Sequence, residues 1–136
     1  YEVHSQGGSM YNTPPTFAIW VANLVCKWIL NEGGVDVMNE RAKARSKLIY
    51  DAIDSSDGFY LNTIAPSARS RMNVVFNLRE EALTDLFVKE AADAGMVNLK
   101  GHRLVGGLRA SLYNAMPMAG AQALRDFMVD FAARRG

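Results

Sequence analysis

Positive charge and glycine are concentrated in one short stretch of the chain, LKGHRLVGGLRAS, at residues 99–111. The basic residues of this stretch are Lys100, His102, Arg103 and Arg109. Its glycines are Gly101, Gly106 and Gly107. A guanidinium presents two parallel N–H donors that match two oxygens of a carboxylate or phosphate, and glycine allows a ligand or another chain to approach the backbone closely. The stretch therefore predicts either an anion site or a solvated basic rim beside a turn, and spacing alone leaves both interpretations open.

Within this stretch, Arg109 has the position best suited to fixing one carboxylate. Residues 107–113 alternate in polarity, which predicts a strand. Leu108, Ala110 and Leu112 would face inward, and the residues on the opposite face would be Arg109, Ser111 and Tyr113. A strand holds a side chain more rigidly than a loop does. His102 and Arg103 directly precede the strand, so we expect them to flank the same site.

A second, weaker candidate is the pair Asn12-Thr13, which comes just before Pro14 and Pro15. Proline is tolerated in the first turn of a helix, so a helix is expected to begin here. The N-terminal end of a helix favours phosphate, and Asn and Thr offer further donors to an oxyanion. The same residues are also typical of an ordinary helix cap, so the phosphate contact and the cap remain open alternatives.

Other kinds of chemistry find little support in the sequence. The only histidines, His4 and His102, lack partners at metal-ligand spacing, so no metal site is predicted. The single Cys26 excludes an internal disulfide and a CxxC metal site, and its apolar neighbours indicate a buried small side chain. We interpret the RSR triplet at residues 69–71 as solvated charge. The net charge of +1, from 15 basic and 14 acidic residues, argues against nucleic-acid binding.

Hydrophobic periodicity predicts an α+β domain. An extended segment over residues 1–15 leads into a first helix that ends at Gly33-Gly34, and a second helix runs to about Ile53. The buried stripe of the second helix is predicted to be Met38, Ala42, Arg45, Ile49 and Ala52. The later elements follow as strand, strand, helix, strand, strand and helix, at residues 59–62, 71–78, 80–94, 96–99, 107–113 and 118–134. This order predicts a small, mostly antiparallel sheet with helices packed on one face.

The first helix is apolar on all sides. One set of apolar residues follows helical spacing and another fills the opposite side: Phe17, Trp20, Val21, Leu24 and Trp28, then Ile19, Val25 and Ile29. Such a helix needs cover on more than one face. A partner domain or subunit would supply it, as would burial within this domain, and the sequence does not decide between them. The helix is too short to span a bilayer, which needs about 20 apolar residues.

The start of the chain carries no targeting signal that we recognise. Residues 1–10 are polar and contain glycine, unlike the charged start and apolar core of a signal peptide. No Met begins the chain. We therefore expect a piece of a longer protein, and the single cysteine fits a reducing compartment.

Four segments, SMYNTPPTFAIW, RSRMNVVF, LKGHRLVGGLRASLYNAM and DFMVDFAARRG, together resemble the C-terminal part of the phosphoserine aminotransferase family. The resemblance covers essentially the whole chain in the same order. It implies the fold-type I architecture of class V pyridoxal-phosphate (PLP) enzymes and a cytoplasmic homodimer. Residues 1–15 would end the large PLP-binding domain, and residues 16–136 would form the small domain, with the first helix as linker and interface.

The resemblance also implies an activity and residue roles. The family transfers the amino group of L-glutamate to 3-phosphohydroxypyruvate in serine biosynthesis, and in bacteria it serves vitamin B6 synthesis with a related phosphorylated substrate. Asn12 and Thr13 match the pair that reaches the PLP phosphate. His102 and Arg103 match the pair that holds the substrate phosphate, and Arg109 matches the arginine that binds the α-carboxylate. No metal, nucleic acid or membrane is implied.

Several residues of the family's complete active site have no counterpart in this chain. The family's PLP-binding lysine, its ring-stacking aromatic residue and the Asp at the pyridine nitrogen all lie upstream of the matched positions. We therefore expect no catalytic residue here and no transamination by this chain alone. Two alternatives stay open: a stand-alone anion-binding or dimerisation module, and another class V aminotransferase. A non-phosphorylated substrate would give no reason for the His102-Arg103 pair.

Overall fold

The computed structural model describes all 136 residues and divides them into two compact units, Tyr1–Met38 and Asn39–Gly136. The first unit contains α1 (Glu2–Gln6), α2 (Thr16–Asn31) and the first residues of α3 (Gly34–Asp54). The second contains the rest of α3, the strands β1 (Tyr60–Leu61), β2 (Asn73–Leu78), β3 (Lys100–His102) and β4 (Gly106–Ser111), and the helices α4 (Thr84–Asp93) and α5 (Met118–Arg135). No helix has both the length and the apolar character needed to cross a membrane.

The prediction of an extended segment over residues 1–15 is wrong at its start, where α1 makes a short helix. Glu2 lies in its first turn, where a carboxylate is favourable beside the positive end of the helix dipole. The Ser5 and Gly7 amides donate to the carbonyls of Tyr1 and Val3. Gly8 and then Ser9 have positive φ and reverse the chain, which ends the helix after little more than one turn.

The helix α2 begins after the Pro14-Pro15 pair, as predicted, and buries none of its residues. Trp20 and Trp28 are 56% and 37% exposed. The alternative that this helix is buried within the domain is therefore wrong. Cys26, predicted to be buried, is also exposed, because the apolar neighbours that suggested burial are themselves uncovered.

The four strands form one antiparallel sheet in the order β1-β2-β4-β3. In β2 and β4 alternate residues are buried, Val74, Phe76 and Leu78 in one strand and Leu108 and Ala110 in the other. They join residues of α3, α4 and α5, such as Ile49, Phe87 and Met128, in a single core cluster. The prediction of an α+β domain with helices on one sheet face is confirmed.

The third strand lies later than predicted. Residues 96–99 carry apolar side chains, but Met96 donates to the Ala91 carbonyl at the end of α4, and Asn98 has a φ of 63°. These residues therefore reverse the chain after the helix. Pairing with β4 begins only at Leu99, whose carbonyl accepts the Arg109 amide at 2.8 Å, and the strand follows at Lys100–His102.

Aromatic side chains fill the core between the sheet and the helices. Tyr60, Phe76 and Phe87 meet edge to face, with ring centroids 5.7–6.1 Å apart, and Phe131 meets Phe87 at 5.1 Å. The Tyr60 hydroxyl donates to the Met128 carbonyl at 2.7 Å. Burial raises the pKa of this hydroxyl, because its ionised form would be desolvated.

All five residues of the predicted α3 stripe are buried, including Arg45, which is 3% exposed. Its Nη1 donates to the Met116 carbonyl at 3.0 Å and to the Asn114 carbonyl at 3.4 Å. Burial lowers the pKa of Arg45, and nearby Arg41 lowers it further. This guanidinium therefore binds the turn that joins β4 to α5.

Arg69, predicted to be solvated, instead forms a bidentate ion pair with Asp54. Its Nη1 and Nη2 donate to the Asp54 carboxylate at 2.6 and 2.7 Å, and the guanidinium lies 4.6 Å from the Tyr50 ring centroid. The Arg69 side chain is 18% exposed and that of Asp54 is 51% exposed. The hydrogen bonds from Arg69 lower the pKa of Asp54. The pair ties the end of α3 to the segment before β2.

Replacing Asp54 with Asn should lower the free energy of unfolding at pH 7 by about 1 kcal/mol, because the half-exposed carboxylate is partly screened. The folded-state pKa of Asp54 is lowered, so its stabilisation is present above the ordinary value of about 3.9 and is lost as the pH falls through the lower folded-state value. Urea unfolding at neutral and acid pH measures both effects.

The matched control is Asp51→Asn, which removes the partner of Lys47. That ion pair has side chains 72% and 59% exposed, so its loss should change the unfolding free energy by no more than a few tenths of a kcal/mol. Equal losses in the two variants would contradict the role assigned to the Arg69–Asp54 pair.

Candidate functional site

The open face of the sheet carries Arg109 at its centre. Arg109 lies opposite Val75 of β2, and its neighbours Leu108 and Ala110 are buried on the other face. The side chain is half-buried, and its Nε is shielded from water without a hydrogen-bond partner. No carboxylate of the chain forms an ion pair with it. No group of this chain therefore accepts a hydrogen bond from the Arg109 guanidinium.

Beside Arg109 lies a row of polar groups on the same face, as the alternation of β4 predicts. The Oδ1 of Asn73 accepts hydrogen bonds from the Ser111 hydroxyl at 3.3 Å and from the Tyr113 hydroxyl at 3.4 Å. These three side chains satisfy one another and leave Arg109 unpaired. Sequence reasoning missed Asn73, although the period of two that places Val74 in the core places Asn73 on this face.

His102 and Arg103 lie at the tip of the hairpin formed by β3 and β4. His102 is paired with Gly106 across the hairpin, and both His102 and Arg103 are exposed. The Val105 amide donates to the His102 carbonyl at 3.0 Å, and the Leu104 amide donates to the His102 Nδ1 at 3.3 Å. Arg103 has no hydrogen bond or ion pair within the chain. Both side chains can therefore present donors to an anion at the tip.

Two glycines allow the strands to come this close. A Cβ on Gly101 would collide with the carbonyl oxygen of Gly106. Gly107 has a φ of +66°, and a Cβ there would collide with the Asn77 side chain and lie 3.0 Å from a β2 carbonyl oxygen. The glycine content of the stretch thus serves approach between strands of this chain, whereas the sequence left open whether a ligand or a chain approaches.

Two cavities adjoin the hairpin, and His102 lines both. His102 and Arg109 line a cavity of about 300 Å³ whose opposite wall is the segment 61–64. His102 and Arg103 line a second cavity of about 900 Å³ together with Arg79 and Lys100. The structure therefore brings His102 to the same cavity as Arg109 and places Arg103 in the adjoining one.

The wall opposite Arg109 is fixed by Asn62, which sequence reasoning also missed. The Asn62 Nδ2 donates to the Val75 carbonyl at 2.6 Å, and its Oδ1 accepts the Ile64 amide at 2.8 Å. These bonds hold the loop after β1 against β2. The sequence placed Asn62 at the end of the predicted strand 59–62, whereas the strand ends at Leu61; an Asn at a strand end is a signal for such a turn.

Asn12 and Thr13 belong to the first unit and lie just before α2. Both are exposed, and neither side chain makes a hydrogen bond within the chain. Their free polar groups, followed by the start of a helix of 16 residues, fit contact with a phosphate. The five lysines are all exposed, and Lys43, Lys47 and Lys100 form ion pairs with carboxylates.

Replacing Gly107 with Ala should destabilise the protein by about 2–4 kcal/mol, because it adds overpacking to the cost of a side chain at positive φ. Thermal unfolding measures the loss. The neighbouring Gly106→Ala variant is the control: Gly106 has a φ of +76°, but a Cβ there meets nothing within 4 Å. It should cost only about 1–2 kcal/mol. Equal costs would show that the close approach at Gly107 is unimportant.

Comparison with known proteins links this arrangement to one family. The family model for class-V aminotransferases matches residues 1–124. A protein of Aromatoleum aromaticum and one of Laribacter hongkongensis, both named phosphoserine aminotransferase, are each 53% identical to this chain over 136 residues. Those residues are 37% and 38% of the two proteins, so the chain spans little more than a third of the length of these relatives.

Solved structures link the chain to proteins of the same name. The phosphoserine aminotransferase of Bacillus circulans subsp. alkalophilus is 46% identical with a TM-score of 0.92, over all of this chain and 38% of that one. A PLP-bound phosphoserine aminotransferase from Trichomonas vaginalis is 41% identical with a TM-score of 0.84, over 94% of this chain and 37% of that one. The observed fold is thus that of the matched part of these proteins.

Proposed function

Because the chain belongs to the class-V aminotransferase family, we propose that it forms the C-terminal part of a PLP-dependent phosphoserine aminotransferase. The observation that carries the proposal is the hairpin that joins two sets of basic side chains without a carboxylate partner: Arg109 on the open sheet face, and the His102-Arg103 pair at the exposed tip. Relatives of that name match the whole chain at about half identity, which supports the same conclusion.

The proposed reaction transfers the amino group of L-glutamate to 3-phosphohydroxypyruvate and gives phosphoserine and 2-oxoglutarate. The keto acid carries a carboxylate at one end and a phosphate at the other. Arg109 would bind the carboxylate through its two parallel N–H donors, and His102 and Arg103 would bind the phosphate. Two fixed contacts at opposite ends would hold the substrate in one orientation for reaction. The second carboxylate of glutamate would use the same pair as the phosphate.

The cofactor's phosphate would be held in part by Asn12 and Thr13, whose side chains are free within the chain. When bound, PLP supplies the electron sink for amino transfer. The residues of this chain would contribute binding and orientation, and we expect no catalytic residue among them. The PLP-binding lysine would lie in the nearly two-thirds of the relatives that this chain does not match.

The exposed surface of α2 supports an assembly with more protein. Eight of its large apolar side chains, among them Trp20, Leu24 and Trp28, are 37–74% exposed. We propose that the large PLP-binding domain, ending near residue 15, and a second copy in a homodimer cover this helix, with residues 16–136 as the small domain. A cytoplasmic enzyme of serine biosynthesis would result. The phosphorylated substrate of vitamin B6 synthesis offers the same two anionic groups.

Replacing His102 and Arg103 together with Ala, in the full-length enzyme of which this chain is proposed to be part, should raise the KM for the phosphorylated keto acid at least 100-fold. Each lost hydrogen bond to a charged group is worth roughly 10–100-fold in affinity. Steady-state kinetics with varied keto acid measures the effect. Lys89→Ala is the control, because Lys89 is an exposed cation on α4 that lines neither cavity. An unchanged KM in the double variant would refute the phosphate assignment.

Replacing Arg109 with Lys keeps the charge and removes the fork of donors. We expect kcat/KM to fall about 100-fold for both glutamate and the keto acid, because both present a carboxylate next to the reacting carbon. A loss confined to the keto acid would contradict the assignment of Arg109 to the shared carboxylate. Comparison with the double variant separates the two contacts.

A further inference from the structure

In the hairpin, both the main chain and the side chain of His102 accept hydrogen bonds from backbone amides of the turn. The His102 carbonyl accepts the Val105 amide at 3.0 Å. The ring atom Nδ1 accepts the Leu104 amide at 3.3 Å. Two backbone donors of the tip are thus bound to His102 itself. An anion at the tip must then be held by other donors, chiefly the side chains of His102 and Arg103.

The bond from Leu104 also determines where the ring carries its proton. A nitrogen that accepts a hydrogen bond has its lone pair engaged and holds no proton, so a neutral imidazole in this turn carries its one proton on Nε2. The alternative, with a proton on Nδ1, would set two N–H groups against each other. The Nε2–H is then the ring atom available to an acceptor outside the turn.

We propose that His102 binds the substrate's phosphate through its Nε2–H, and that the Leu104 backbone amide fixes this tautomer. The identity of the anion rests on the proposed function, whereas the tautomer rests on the hairpin alone. Arg103 supplies the charge that attracts the phosphate, and His102 supplies a directed hydrogen bond. Lys100 contributes less, because it forms an exposed ion pair with Asp85 at 3.5 Å.

Three substitutions of His102 separate the turn from the donor. Asn accepts a hydrogen bond from the backbone amide two residues later, as in an Asx-turn, so His102→Asn retains the cap on Leu104 and loses the outward donor. Gln carries an amide nitrogen about as far from the backbone as Nε2, so His102→Gln restores a donor without the rigid cap. His102→Ala loses both functions.

The first measurement is the tautomer in the full-length holoenzyme without substrate. Histidine is labelled with ¹⁵N, and the His102 signals are assigned by their loss in His102→Ala. In the parent at mildly alkaline pH, we expect a protonated Nε2 and an unprotonated Nδ1. Hydrogen exchange of the Leu104 amide should be slow in the parent and in His102→Asn, and fast in His102→Ala. A proton on Nδ1, or fast Leu104 exchange in the parent, would overturn the proposal.

The second measurement is binding of the phosphate group, with the phosphorylated keto acid as substrate and inorganic phosphate as competitive inhibitor. His102→Asn should weaken both about 10–100-fold, as much as His102→Ala does, because both lack the donor. His102→Gln should recover part of the loss. Parent-like constants in His102→Asn alone would overturn the donor role. Unchanged constants in all three variants, with the expected tautomer, would instead refute the phosphate site of the proposed function.

Discussion

Burial of Leu108 and Ala110 beneath the helices determines where the other side chains of β4 point. Because successive residues of a strand face opposite sides, sealing these two in the core leaves Arg109 and Ser111 on the uncovered face. The free energy that orients the guanidinium therefore comes from apolar burial on the far side of the sheet. No bond from a carboxylate is needed to aim it, and its donors remain unpaired. A slip of one residue in register would exchange the two faces.

The candidate site combines two kinds of support for its basic side chains. Arg109 lies on an inner strand, bordered by β2 on one side and β3 on the other. His102 and Arg103 lie at an exposed hairpin tip, where the order comes from two backbone bonds to His102 and from the close strand approach at Gly101 and Gly107. A rigid contact thus adjoins a more accessible one. Under the proposed function, this division would suit two substrates that share one carboxylate and differ in their second anionic group.

Where one periodicity dominated, the sequence predicted the structure well: the buried stripe of α3 and the two faces of β4 follow from spacing alone. It failed where non-local contacts decide. The apolar residues before Lys100 are used to reverse the chain after α4, and Arg69 finds a carboxylate 15 residues earlier in the chain. Cys26 is exposed because the helix around it is uncovered. The hydrogen bond from the Leu104 amide to the His102 ring depends on the geometry of the turn, which the residue types alone do not predict.

The central pairing of the sheet also sets an order in which the molecule can fold. The hairpin of β3 and β4 is local and closes a loop of a few residues, so it can form early. The pairing of β2 with β4 joins Asn73 to Ser111 across 38 residues, with α4 and β3 in between. Long-range pairing of this kind is the slow part of folding. The tip that carries His102 can therefore take shape before the face that carries Arg109 exists, and the two sets of basic side chains reach their relative positions only when β2 pairs with β4.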